Sequence, residues 1–253
     1  MFGGQAETIR KIAADLIQVG VRRGGILLVH SSLKSMGHVP GGPEIVIRAL
    51  LEALGPEGTL LMPALTYETV TNENPVFNIA KTHSCVGALT EYFRKRVGTI
   101  RSMHPTHSVC GVGRLAQGIL EKHINDTTPC GPNSPFFQIL DYNGQILMLG
   151  CGLGPNTSMH GIEELVEPPY LFGPYITYQL IDGNGHSAEK EYHRHGFKSW
   201  EQRYDRVENI LDTSGLKTGK VLNASVHLIE AKLLWKKALV ALGENPLYFV
   251  NKI

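Results

Sequence analysis

Histidine, with an ordinary pKa of about 6.5, takes up and gives back a proton near neutrality, which makes it the first residue type to look for. His160 stands out because Thr157 lies three residues before it and Glu163 three residues after it, in the segment NTSMHGIEELV at 156–166. In a helix these three side chains follow one another along nearly one face. A carboxylate on the far imidazole nitrogen fixes the tautomer and stabilises the imidazolium, and a hydroxyl alongside can donate to developing negative charge. Glu164 sits at the other helical spacing and reaches His160 equally well, so spacing alone leaves the two acids open.

Two further groups of residues invite chemistry. His30-Ser31-Ser32-Leu33-Lys34 follows a strand pattern and precedes a helical one. Backbone N–H groups and hydroxyls at such a junction can hold a pyrophosphate, although an ordinary serine helix cap reads the same way. His104 and His107 form an H-x-x-H pair that, with His193, His195 or a cysteine, would make a metal-dependent hydrolase. The pair lacks the glutamate and spacing of a zincin, and the expectation is no metal.

These residues need a scaffold, and the chain alternates helical patterns with short apolar runs closed by Gly, Pro or Ser, as α/β sheets do. Helices are expected at 7–19, 43–54, 86–96, 115–122, 158–166 and 200–211, with a helical turn at 134–140 and a long C-terminal helix at 224–242. Buried strands are expected at 26–29, 58–62 and 145–150, a strand-like turn at 103–112, and a hairpin pairs 175–181 with 186–193 around a glycine-rich turn. The Pro- and Asn-rich stretch 66–82 reads as a long loop and a substrate lid. On the last helix Leu228, Ala231, Leu234, Trp235 and Ala238 share one side, which is core rather than a homodimer surface, though a homodimer remains open.

The 253 residues, 42% of them hydrophobic and 19% charged, suffice for one α/β domain spanning 1–253. A formal net charge of +1 gives no support to nucleic-acid or membrane-surface binding. The N-terminus lacks a signal peptide's apolar core, no run is long enough to span a membrane, and the four single cysteines show no C-x-x-C spacing. A reducing cytoplasm is the expected compartment.

Three segments together carry a family resemblance. LLVHSSLKSMGHVPGG at 27–42, followed by GTLLMP at 58–63, resembles the N-terminal signature of the aminoglycoside 3-N-acetyltransferases. RSMHPTHSV at 101–109 resembles their central motif, and PCGPNSP at 129–135 through Leu149-Gly150 to NTSMH at 156–160 resembles the approach to their catalytic histidine. The resemblance implies a three-layer α/β/α fold with a central mixed sheet. It also implies acetyl-CoA as cosubstrate and direct acetyl transfer to an amine, in an aminoglycoside or a relative, within a ternary complex. A protein that binds CoA without catalysis is the remaining alternative.

By the same resemblance His160 is the base, Glu163 its partner and Thr157 the donor to the oxyanion or the thiolate. Ser31, Ser32, Leu33 and Lys34 cradle the CoA phosphates and Val39 lies along the pantetheine. Ser108 binds CoA, while Ser102, His104 and His107 shape its sulfur end. Tyr67, Glu68, Glu164, Glu167 and Asp205 are candidates for holding the acceptor's amino groups. One departure is Gly161-Ile162 in place of the expected Leu-Ala, a glycine that costs a helix roughly 1 kcal/mol.

Overall fold

In the computed structural model, which describes residues 2–253, the apolar runs become a seven-stranded mixed sheet. Its centre is parallel: β1 (Ile26–Ser31) lies between β2 (Thr59–Pro63) and β6 (Gln145–Leu149). Strands on both flanks run antiparallel. β5 (Val109–Gly113) and the short β4 (Ile100–Arg101) extend the β2 side, and β11 (Ala224–Glu230) with β10 (Leu216–Val221) extends the β6 side.

The central strands read as unbroken apolar runs because both faces are covered. Leu27 and Val29 face a core formed with α1 (Phe2–Val19), α2 (Pro43–Leu54) and α3 (Ala88–Lys95). Ile26 and Leu28 face a second core, with α4 (Ala116–Leu120), α5 (Pro135–Gln138), α6 (Ser158–Val166) and α7 (Ala231–Glu244). This is the expected three-layer α/β/α arrangement. A separate three-stranded sheet joins β3 (Val76–Asn78), β7 (Phe172–Ile181) and β8 (Ser187–His195), and β9 (Trp200–Gln202) pairs with β12 (Val250–Lys252). No helix among the described residues is long and apolar enough to cross a membrane.

The helix α6 starts and stops where the sequence pattern places it, at Ser158 and Val166. The long C-terminal helix does not: its first seven residues are strand β11, paired along β6. There Ala224, Val226 and Leu228 alternate toward one core, a period of two that only the pairing partner distinguishes from helical spacing. The helix expected at 200–211 is instead β9 followed by a 3-10 helix at Tyr204–Asn209, because Trp200–Gln202 pairs with residues at the far end of the chain. Strand β10 has no counterpart among the expected elements.

The stretch 66–82 is no free lid. Its β3 pairs with β7, Val70 is 2% exposed, and the half-buried Arg101 guanidinium donates to the carbonyls of Ala64, Ile79 and Thr82. Leu234, Trp235 and Ala238 are buried within the chain's own core, as expected of the apolar side of the C-terminal helix.

Candidate active site

A cavity of about 440 Å³ opens at the carboxyl ends of β1 and β6, lined among others by Ser31, Cys151, Thr157 and His160. Two features place it there. From β1 the chain runs through α2 to β2 on one side, while β6 joins on the other, and such a reversal opens a crevice beyond the strand ends. The tight turn after β6 needs Gly150 and Gly152 at φ +72 and +67, which sets α6 with its N-terminus against the cavity.

His160 is 8% exposed, and its Nδ1 lies 3.1 Å from Glu163 Oε2 and 2.9 Å from Tyr204 Oη. The Tyr204 hydroxyl has one proton and gives it to Glu163 Oε2 at 2.7 Å, so toward His160 it accepts. Tyr170 donates to the other oxygen, Glu163 Oε1, at 2.8 Å. With Nδ1–H shared between a carboxylate and a phenol, the lone pair sits on Nε2, on the side left for the cavity that His160 lines. Burial, reinforced by Glu163, pushes the Tyr170 and Tyr204 phenols well above their ordinary range, so both remain donors.

The second acid goes elsewhere. Glu164 accepts from Thr128 Oγ1 at 2.6 Å and Cys130 N at 2.7 Å, and its Oε1 lies 2.7 Å from His195 Nε2. Burial pushes its carboxyl up to about 7 against the pull of those hydrogen bonds. Geometry therefore separates the alternatives that spacing left open: Glu163 turns to His160 and Glu164 to His195.

His107, His160 and His195 converge on the cavity, each offering a nitrogen within 4.8 Å of the others. His107 and His195 fall well below the usual histidine range, first through burial and then through repulsion from neighbouring imidazoles. His30, at the end of β1, is lowered to about 3 by burial and then by His160. Each stays neutral at pH 7. The expected H-x-x-H pair divides: His104 is 1% exposed, stacks on His123 with centroids 4.7 Å apart, and its Nδ1 accepts from the amides of Thr106 and His107. His193 stacks between Phe172 and Tyr175.

Of the other expected residues, Ser31 and Tyr67 line the cavity with Thr157 and His107. Ser32 and Leu33 are half-buried beside Ser31, and Lys34 is exposed at the opening of a 3-10 turn, Leu33–Met36. Three residues expected at the cofactor do not line the cavity. Ser108 is fully buried, donating to Ala64 O at 2.8 Å and accepting from Arg101 Nε at 2.9 Å. Ser102 lies 2.9 Å from His123 Nδ1 and accepts from Val109 N, and Val39 packs into the core. These two serines brace the strands behind the site, and their hydroxyls are already engaged.

On the acceptor side Glu164 is buried against His195, and Asp205 is clamped by Arg203 at 2.9 and 2.7 Å. Glu167 is exposed in the left-handed conformation that ends α6, and Glu68 is exposed beside Tyr67. None of these four carboxylates lines the cavity. Residues 41 and seven positions from Glu163, Tyr204 and Tyr170, complete its shell, and nothing in their spacing announces it. His195 stands out in the sequence only as a possible metal ligand.

The sequence model of the family described as aminoglycoside 3-N-acetyltransferase matches residues 28–242. The chain belongs to this family. Aminoglycoside N(3)-acetyltransferase IV of Salmonella sp is 30% identical over 251 residues, covering 95% of this chain and 89% of that protein. A crystal structure of a histidine-to-alanine mutant of aminoglycoside acetyltransferase AAC(3)-IVa in complex with a gentamicin is 30% identical, with a TM-score of 0.82 over 95% of this chain and 90% of that one. The YokD protein from Bacillus subtilis is 27% identical, with a TM-score of 0.81 over 94% of both chains. As a member of the aminoglycoside 3-N-acetyltransferase family, the chain has the fold that its motifs implied.

Proposed function

We propose that the protein is an enzyme that transfers an acetyl group from acetyl-CoA to an amino group, in an aminoglycoside or a related amine, by direct transfer in a ternary complex. The observation that carries this reading is the Glu163–Tyr204 grip on His160 Nδ1, which leaves Nε2 as a base at the cavity.

Acetyl-CoA supplies the acetyl group as a reactive thioester. The site fits such a group: the cavity is continuous from Ser31, at the end of β1, to His160, and Gly154 in its wall has open space where a side chain would stand. Ser31 and Ser32, with the amides of Leu33 and Lys34, hold the phosphates, and Lys34 adds charge. His160 Nε2 removes the proton from the attacking amine. Glu163 and the Tyr204 oxygen stabilise the imidazolium so formed. Thr157 donates its hydroxyl to the developing oxyanion or to the departing thiolate, a contribution of about 3 kcal/mol for a well-placed donor.

Direct transfer is favoured over an acyl-cysteine route by the state of the one thiol in the cavity wall. Burial pushes Cys151 up to about 11, so it stays a poor nucleophile at pH 7. Neither alternative reading has comparable support. A metal-dependent hydrolase loses the His104–His107 chelate, and a protein that only binds CoA has no use for the ordered base. The proposed working unit is 1–253, as one catalytic domain acting in the cytoplasm.

The test is thiol release from acetyl-CoA across an amine panel with wild type and His160→Ala. Amine-dependent release that falls about 10²-fold or more in the variant is expected. Release indifferent to the substitution would overturn the base assignment.

A further inference from the structure

A second cavity of about 340 Å³ adjoins the first, and Arg194 and His195 stand in the wall of both. The smaller one adds Lys198 and the aromatic rings of Tyr170, Phe172 and Trp200. Among the described residues that line the two cavities there is no aspartate or glutamate. The guanidinium of Arg194 is aimed by uncharged partners: Nη1 donates to Asn72 Oδ1 at 2.6 Å and Nε to the His195 carbonyl at 3.3 Å. Among the described residues no carboxylate forms an ion pair with Arg194 or Lys198. Glu73 does feel Arg194, but it is fully exposed and bound first by Thr71.

A polycation bound here would meet one guanidinium, one ammonium and a set of neutral imidazoles, with no negative wall to replace its lost hydration. An oxyanion would meet the opposite: a half-buried guanidinium whose planar fork matches carboxylate and phosphate oxygens, beside rings that cover an apolar body. We propose that the acceptor is an amine carrying an oxyanionic group, a carboxylate or a phosphonate, seated in the Arg194–Lys198 groove while its amino group reaches His160. This inference rests on amine acetylation being the reaction and adds the charge class of the acceptor.

The probes are para-aminomethyl benzoate, its phosphonate analogue, neutral benzylamine, para-xylylenediamine and a gentamicin, tested by acetylation and by calorimetric binding in the presence of CoA. Wild type is expected to favour the two oxyanionic amines over benzylamine by about tenfold or more in kcat/KM, with the diamine and the gentamicin poorer still. The benzoate and phosphonate arms show which oxyanion fits. Arg194→Gln should erase the advantage by raising KM for the two oxyanionic amines about tenfold, and Arg194→Glu should reverse the order of benzoate and diamine. Preference for the gentamicin or the diamine, or an order unmoved by Arg194→Glu, would overturn the proposal. If no amine is acetylated, the reaction class fails, and the calorimetric order of the same probes still decides the charge of the groove.

Discussion

At the scale of the residue, two acids adjacent in sequence serve two different histidines, and their variants should part company. Glu163→Gln removes the negative charge that stabilises the His160 imidazolium and is expected to lower kcat by about 10²–10⁴-fold, at least tenfold more than Glu164→Gln, in steady-state assays. Glu164 reports instead through stability. Its folded carboxyl stands at about 7 against an ordinary 4.5, so the neutral form is favoured by the fold. The stability this contributes is complete below about pH 4.5 and is lost as the pH rises through about 7, at roughly 1.4 kcal/mol for each pH unit crossed in that interval. The difference in unfolding free energy between wild type and Glu164→Gln should therefore decline across that interval; a flat difference would refute it. The triplet Thr157, His160 and Glu163 was legible because one helix and its N-cap residue carry all three at a fixed step. Tyr170, Tyr204 and His195 were not, because tertiary packing brings them to Glu163 and Glu164 from other elements.

At the scale of the element, α6 is held at a defined distance from α7 by a residue that looks like a weakness in the sequence. An added Cβ on Gly161 would stand 3.0 Å from Trp235 Cζ2 and 3.3 Å from the Cys130 carbonyl oxygen, so the glycine allows the two helices to close. Gly161→Ala should gain the usual helix propensity of about 1 kcal/mol and lose more than that in displaced packing. The expected result is a lower Tm together with reduced kcat, since His160 is the preceding residue. A raised Tm would show that Trp235 yields without cost. The contrast between α6 and the C-terminal region explains what the sequence could reveal here. A glycine-rich turn and a proline pair bounded α6, whereas β11 was a seven-residue stretch of alternating apolar residues whose identity depended on β6 beside it.

At the scale of the whole molecule, the site is built from two bodies of unequal solidity. The side proposed for the donor rests on the seven-stranded sheet, buried on both faces between two large cores. The side proposed for the acceptor rests on β3, β7 and β8, backed by a cluster of five buried residues, Val70, Phe77, Tyr178, Leu180 and Tyr192. Free energy of opening follows buried apolar contact, so amides of β7 and β8 should exchange with solvent before those of β1 and β6. Hydrogen exchange resolved by peptide checks this, and simultaneous exchange of both sheets would contradict it. The layer order was readable from alternating helix and strand patterns, but the division of labour between sheets was not, since β3 joins the smaller one only through its pairing with β7.

That division bears on how such a protein diversifies. Arg194 and His195 come at the end of β8, a strand exposed over its first half, joined to β7 by a short turn and remote in sequence from the segments that precede His160. Inheritance can rewrite that hairpin, one outward or inward position at a time, while the machinery that handles the activated donor is passed on intact. Lineages sharing a single chemistry can thereby come to modify quite different amines, and a hairpin graft between two such lineages would carry the preference with it.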